Sequence, residues 1–159
     1  MGLMKSESVL ELIGQIPFFE KFTPEERKYF ASLDCQAFRY LPGEQIIKEG
    51  EEEYSLCILL QGAVRITKNI GEYGLGRAQR EAFLTRLKPV TVFGEISLLA
   101  HKPRSSNAYA DGKTVVLKMS GDLLERLEPV MQNKIHKTLV ELLIHRLEDT
   151  NKQLIQLTR

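Results

Sequence analysis

The chain lacks most features that would reveal a function outright. Its 159 residues hold two cysteines, Cys35 and Cys57, too few and too far apart for a zinc motif. Cys57 lies in the apolar run YSLCILL and reads as a buried thiol acting as a small hydrophobe. No apolar run approaches the ~20 residues of a membrane helix. The N-terminal MGLMKSESVLELIGQ has one lysine, then acidic residues and a broken apolar stretch, unlike a signal peptide. Membrane insertion is therefore not expected, and the cytoplasm is the natural compartment. An excess of one charge is missing too. Lys plus Arg is 22 and Asp plus Glu is 21, a net charge of +1, which gives no bulk reason to bind nucleic acid or an anionic membrane.

What is present is globular. Hydrophobic residues make up 43% and charged residues 27%, a composition that argues against disorder. A single domain over 1–159 is expected, burying roughly 68–70% of the surface that its unfolded form exposes. Residues 1–34 read as a helical segment. Pro17 ends a first short helix. In FTPEERKYFASL, Thr23 can cap, Pro24 fits the first helical position and Glu26 completes a capping box, so a helix is predicted from Pro24 to about Leu33.

From 36 to 119 the period changes to that of strands. Val64 and Ile66 alternate with polar partners, and Gly43 and Gly62 mark turns. Many short strands separated by turns predict a mainly β fold, an antiparallel sandwich or barrel. Residues 69–81, NIGEYGLGRAQRE, match neither a dinucleotide fingerprint nor a P-loop and read as a flexible hairpin loop. From 120 to 159 the chain is helical again. Gly121–Leu127 forms a short helix, and a pattern without Gly or Pro from Met131 to Arg159 gives a rod of roughly 40 Å.

The chemistry concentrates in FGEISLLAHKPRSSNAYA, residues 93–110. Phe93 ends a strand, Gly94 permits a tight turn, and Glu95, Ile96 and Ser97 begin a helical turn whose free N–H groups suit an anion. Arg104 offers a fork of donors that matches phosphate oxygens, with the hydroxyls of Ser105 and Ser106 next to it. Glu95 can accept from a sugar hydroxyl. One carboxylate for a ribose and one guanidinium for a phosphate would suit a nucleotide. Taken singly, each residue also has an ordinary reading as a solvated carboxylate, a surface ion pair or a loop serine.

The ordered set resembles the phosphate-binding cassette of cyclic nucleotide-binding domains, F-G-E-[LI]-[AS]-L, a spacer, then P-R-[ATS]-[AST], here over 93–106. IPFFEKFTPEERKYFASL is similar to the entry segment and first helix of that family, and YLPGEQIIKEGEEEYSLCILLQGAVRI to its opening strands. The resemblance implies an eight-stranded antiparallel β-roll, jelly-roll-like, with helices before it and a long helix after it. It implies that the residue matching Glu95 holds the ribose 2′-hydroxyl and that matching Arg104 the cyclic phosphate. Backbone amides at positions matching Gly94, Ile96 and Ser97 then line the pocket, and Ser105 touches the phosphate. A Ser at that position occurs both in cGMP-selective members and in bacterial activators that prefer cAMP, so the ligand is cAMP or cGMP, with cAMP favoured.

The last helix carries a second pattern. Val140, Leu143, Leu147, Thr150, Leu154 and Leu157 are spaced 3, 4, 3, 4, 3, a coiled-coil seam with one polar position. HRLEDTNKQL also resembles the dimer helix of the catabolite activators, in which two residues reach the adenine. Thr150 and Asn151 fall on those positions, with Asn departing from the usual Ser. A homodimer through this helix is expected, the alternative being a lid over the chain's own roll. The chain stops at Arg159 with no recognition helix, so a stand-alone sensor without direct nucleic-acid contact, acting on a separate effector protein, is expected. The three histidines, His101, His136 and His145, lie on no predicted strand and suggest neither a metal site nor a catalytic residue. The competing reading is a degenerate member of the fold, kept for dimerisation or partner docking or retuned for another ligand.

Overall fold

The computed structural model describes residues 2–3, 6–33, 35–73 and 78–159. It divides into two compact units, Met1–Leu124 and Glu125–Arg159. In the first, α1 (Ser6–Gly14) and α2 (Pro24–Ser32) flank a 3₁₀ turn at Pro17–Phe19. The capping box forms as the sequence predicts: the Glu26 amide donates to the Thr23 hydroxyl at 3.2 Å, and the Thr23 amide to the Glu26 carboxylate at 2.9 Å. Phe18, Phe19, Phe22 and Phe30 pack together, three of their pairs edge to face and Phe19–Phe22 tilted, with centroids 5.2–5.5 Å apart. That geometry suits the opposed charge of ring face and ring edge, and it ties the 3₁₀ turn to α2.

The strands are β1 (Gly2–Leu3), β2 (Cys35–Tyr40), β3 (Gln45–Ile47), β4 (Leu56–Gln61), β5 (Val64–Tyr73), β6 (Ala78–Leu87), β7 (Thr91–Phe93), β8 (Asn107–Ala110) and β9 (Thr114–Met119). They form a five-stranded sheet, β1-β2-β9-β4-β7, and a four-stranded sheet, β3-β8-β5-β6. Every pairing is antiparallel. Eight strands thus run from Cys35 to Met119, the expected mainly β roll, with β1 added to the edge of β2. Cys57, Leu59, Phe93 and Val116 from one sheet and Ile47, Val64, Ala108 and Ala110 from the other share one core. Leu56, Ile58 and Leu117, on the alternate positions, are fully buried as well, so β4 is covered on both faces. That is why its sequence is a continuous apolar run and not an alternation.

The stretch 69–81 differs from the expected flexible loop. Residues 69–73 belong to β5 and 78–81 to β6, with Asn69 paired to Glu81 and Glu72 to Gln79. β6 is the outer strand of its sheet, and Ile70, Gly71, Arg80 and Glu81 are exposed, so no apolar alternation is needed there. Positions 74–77, with Gly74 and Gly76, lie outside the described residues.

Two helices follow the roll, α3 (Glu95–Ala100) having been placed between β7 and β8. They are α4 (Gly121–Glu125) and α5 (Pro129–Leu157). In α5, Met131, Ile135 and Leu139 are buried, whereas Val140, Ile144, Leu147, Leu154 and Leu157 are 50–82% exposed. Among the described residues no helix is long and apolar enough to cross a membrane.

Candidate ligand-binding site

The site grows from the end of β7. Gly94 has φ +76° and caps α3, a left-handed conformation that costs a residue with a side chain about 1 kcal/mol or more. Space imposes the same choice: a Cβ on Gly94 would stand 2.7 Å from Arg104 Nη1. The turn then delivers Glu95, Ile96 and Ser97. Glu95 is 4% exposed and Ser97 2%, whereas Ile96 is half-exposed. The helix continues only to Ala100, and His101 ends it with φ +51°. The His101 ring stacks on Tyr54, with centroids 4.3 Å apart.

Arg104 is the centre of the arrangement. It is 3% exposed, although arginine is rarely buried without partners. Nη1 donates to the Gly94 carbonyl at 3.0 Å and to Ser97 Oγ at 2.6 Å, and Nη2 donates to the Ser55 carbonyl at 2.8 Å and Ser55 Oγ at 3.0 Å. Glu53 Oε2 lies 3.3 Å from Nη2. The main chain is held as well: the Arg104 amide donates to Glu51 O and the Gly50 amide to Arg104 O, each at 2.9 Å. Arg104 Nε is buried with no partner among the described residues.

Burial pushes the Glu53 carboxyl up, but the Ser55 hydroxyl and the charges of Arg104 and Lys118 outweigh it and hold the carboxyl below its ordinary value. The loop after Arg104 is fixed by Lys68, whose ammonium donates to the Ser105 carbonyl at 2.6 Å and pairs with Glu49 at 3.5 Å. Asn107 locks the neighbouring strand: its Oδ1 accepts from the Glu49 amide at 2.9 Å and from Gln45 at 3.2 Å, and its amide group donates to Asn69 and Glu81.

The structure therefore brings Gly94, Glu95, Ser97 and Arg104 together as the sequence predicts. It places Phe93 in the core between the sheets, where it packs behind the turn. Ser105 and Ser106 follow Arg104 in the loop, partly exposed. Thr150 and Asn151 lie on α5, in the second unit, and are exposed; the Thr150 hydroxyl donates to the Arg146 carbonyl at 2.8 Å. The guanidinium fork, expected to be open to a phosphate, is engaged by protein oxygens through Nη1 and Nη2, and Nε is sealed from solvent. Glu53 and Ser55, the anchors of that fork, were not among the predicted site residues. Their signal was the polar EEEYS interrupting two β runs, which reads as a spacer until the fold brings it to Arg104.

A cavity of about 430 Å³ lies elsewhere, at the end of the five-stranded sheet where β2 and β4 finish and β9 begins, lined by Arg39, Gln61 and Lys113 among others. None of the cassette residues lines it.

An antiparallel roll with a buried arginine and carboxylate at a glycine turn between strand and short helix defines the class: a β-roll domain with its ligand site at that turn. Residues 37–128 match the cyclic nucleotide-binding domain, and the chain belongs to that family. It is 29% identical over 132 residues to a cGMP-dependent protein kinase of Eimeria tenella, a match that covers 82% of this chain and 12% of the kinase. Among solved structures, a cyclic nucleotide-binding domain from Methylobacillus flagellatus superposes with a TM-score of 0.77 at 25% identity, over 94% of this chain and 82% of that one. The catabolite activator protein of Thermus thermophilus superposes with a TM-score of 0.67 at 29% identity, over 89% and 63%.

Proposed function

We propose that this domain binds a cyclic nucleotide, cAMP ahead of cGMP, carries out no chemistry on it, and signals through its C-terminal helix to a separate effector protein. The observation that carries this reading is the buried guanidinium of Arg104, held against the Gly94 carbonyl and Ser97 Oγ at the turn that also carries Glu95; the natural complement of such a cation is an anionic oxygen. Glu95, held at the start of α3, is the acceptor for the ribose 2′-hydroxyl. Ser105, the residue that the resemblance matches to bacterial activators preferring cAMP, supports cAMP, and the likeness to a cGMP-dependent protein kinase makes cGMP the ligand to test beside it. A degenerate site would have no reason to keep both Glu95 and Arg104 buried.

The exposed apolar side chains of α5 support a homodimer. Leu147 is 61% and Leu154 56% exposed, and covering such a seam with a second copy is favourable by roughly 25 cal/mol per Å² of apolar surface. In that dimer Thr150 is the polar position that sets register, and Thr150 and Asn151 are the helix's candidates for contact with the base.

Calorimetric titration with cAMP and cGMP tests the binding reading. The parent is expected to bind, and Arg104→Ala to lose about tenfold to a hundredfold in affinity, the equivalent of a charge-assisted hydrogen bond of about 1.5–3 kcal/mol. Equal affinity in parent and variant overturns it.

A further inference from the structure

His101 ends α3 with φ +51°. Among the described residues no other residue with a side chain lies in the left-handed region. A helix that stops in this way ordinarily does so on glycine, which has no Cβ to strain. A histidine there needs a reason, and strain kept at one residue points to a use for it. That use lies across the loop. The His101 ring is nearly parallel to the Tyr54 ring, at 13°, with centroids 4.3 Å apart. Tyr54 is itself hemmed in: a Cβ on Gly121, the first residue of α4, would stand 3.1 Å from the Tyr54 carbonyl oxygen and 3.3 Å from its Cβ.

The two rings belong to the two segments that hold Arg104. Nη2 donates to the Ser55 carbonyl and Ser55 Oγ and faces Glu53 at 3.3 Å, and these are the residues on either side of Tyr54. Nη1 donates to the Gly94 carbonyl and Ser97 Oγ, and the His101 amide donates to the Ser97 carbonyl. At the sheet the segments are joined where Cys57 of β4 pairs with Phe93 of β7. Past the ends of those strands the guanidinium bridges them, and the stacked rings bridge them again. A cation gripped from two sides keeps its place only while the sides keep their spacing. Resting on the reading that the cassette takes a cyclic nucleotide, we propose that Tyr54 and His101 are positioning residues of that site: their stack fixes residues 53–55 against α3 and so sets Arg104 for the ligand's phosphate. They act through Arg104.

The test is a double-mutant cycle. Tyr54→Ala removes one ring. His101→Asn removes the other and keeps a residue type that tolerates the left-handed backbone. Tyr54→Phe keeps the stack. Urea unfolding checks that each variant folds. Each is titrated calorimetrically with cAMP and cGMP, and with adenosine and guanosine, which lack the phosphate. Either ring-removing variant is expected to lose about two- to tenfold in cyclic-nucleotide affinity, in line with the strength of an aromatic pair. The double variant should lose no more than the larger single loss, because one contact cannot be lost twice. Nucleoside affinity should hold, and Tyr54→Phe should bind as the parent. Should Tyr54→Ala fail to fold, His101→Asn, at an exposed residue, carries the same prediction alone. Losses that add in the double variant overturn the proposal. So do equal losses for nucleotide and nucleoside, which would show general packing, and unchanged cyclic-nucleotide affinity in the ring-removing variants of a parent that binds. A parent that binds neither cyclic nucleotide overturns the cassette reading, and this proposal with it.

Discussion

Gly94 and Arg104 occupy one another's space: a single methyl group on the glycine would stand 2.7 Å from the guanidinium. The turn and the cation are therefore one device. Gly94→Ala has to strain a φ of +76° and displace the Nη1 that bonds Gly94 O and Ser97 Oγ. We expect a stability loss of about 1–3 kcal/mol, read from urea unfolding, and an affinity loss of about tenfold or more for cyclic nucleotide. An alanine variant that binds like the parent would show that Arg104 does not need its observed position.

The two thiols should be silent in the folded protein. Cys35 and Cys57 are both buried, and burial pushes the Cys57 thiol up to about 11, so little of the reactive thiolate exists at neutral pH. Ellman's reagent is expected to titrate neither until denaturant is added. Fast labelling of one thiol in the native protein would contradict the burial of β4 or of the start of β2.

Glu53 gives a pH signature. Its carboxyl is held lower in the folded chain than its ordinary value, so it stabilises the fold above the unfolded carboxyl pKa. That contribution is lost as pH falls through the lowered folded value. The urea midpoint of the parent should exceed that of Glu53→Gln at neutral pH, and the two should converge in acid. A gap that persists unchanged in acid would mean that the charge of Glu53 contributes nothing.

The helix seam makes the oligomer testable. Leu147 is 61% exposed in the single chain, so Leu147→Asp should leave the fold of that chain intact while placing a charge in any dimer seam. Analytical ultracentrifugation is expected to show a concentration-dependent dimer for the parent and a monomer for the variant. A monomeric parent at high concentration removes the dimer and leaves the ligand site standing.

The features legible in the sequence were those whose partners lie close along the chain. Thr23 and Glu26 are three positions apart and form the capping box, and Gly94, Glu95 and Ser97 sit in one turn. Glu53 and Ser55 were not legible because Ser55 meets Arg104 across 49 positions, and no local pattern reports such a meeting. The polar residues 69–73 and 78–81 hid two strands, since periodicity marks a strand only where one face is buried, and β6 lies at the edge of its sheet.

The main-chain pairing of Arg104 with Gly50 and Glu51 also bears on the order in which the domain assembles. Closing a loop of roughly 50 residues costs entropy that local turns do not, and contacts of such sequence separation slow folding. The cassette can acquire its buried arginine only once the chain before β4 has come back to meet it. A peptide of residues 93–110 would carry every letter of the motif and none of its preorganisation, and a nascent chain would gain its binding site late, after the strands on both sides of the motif have found each other.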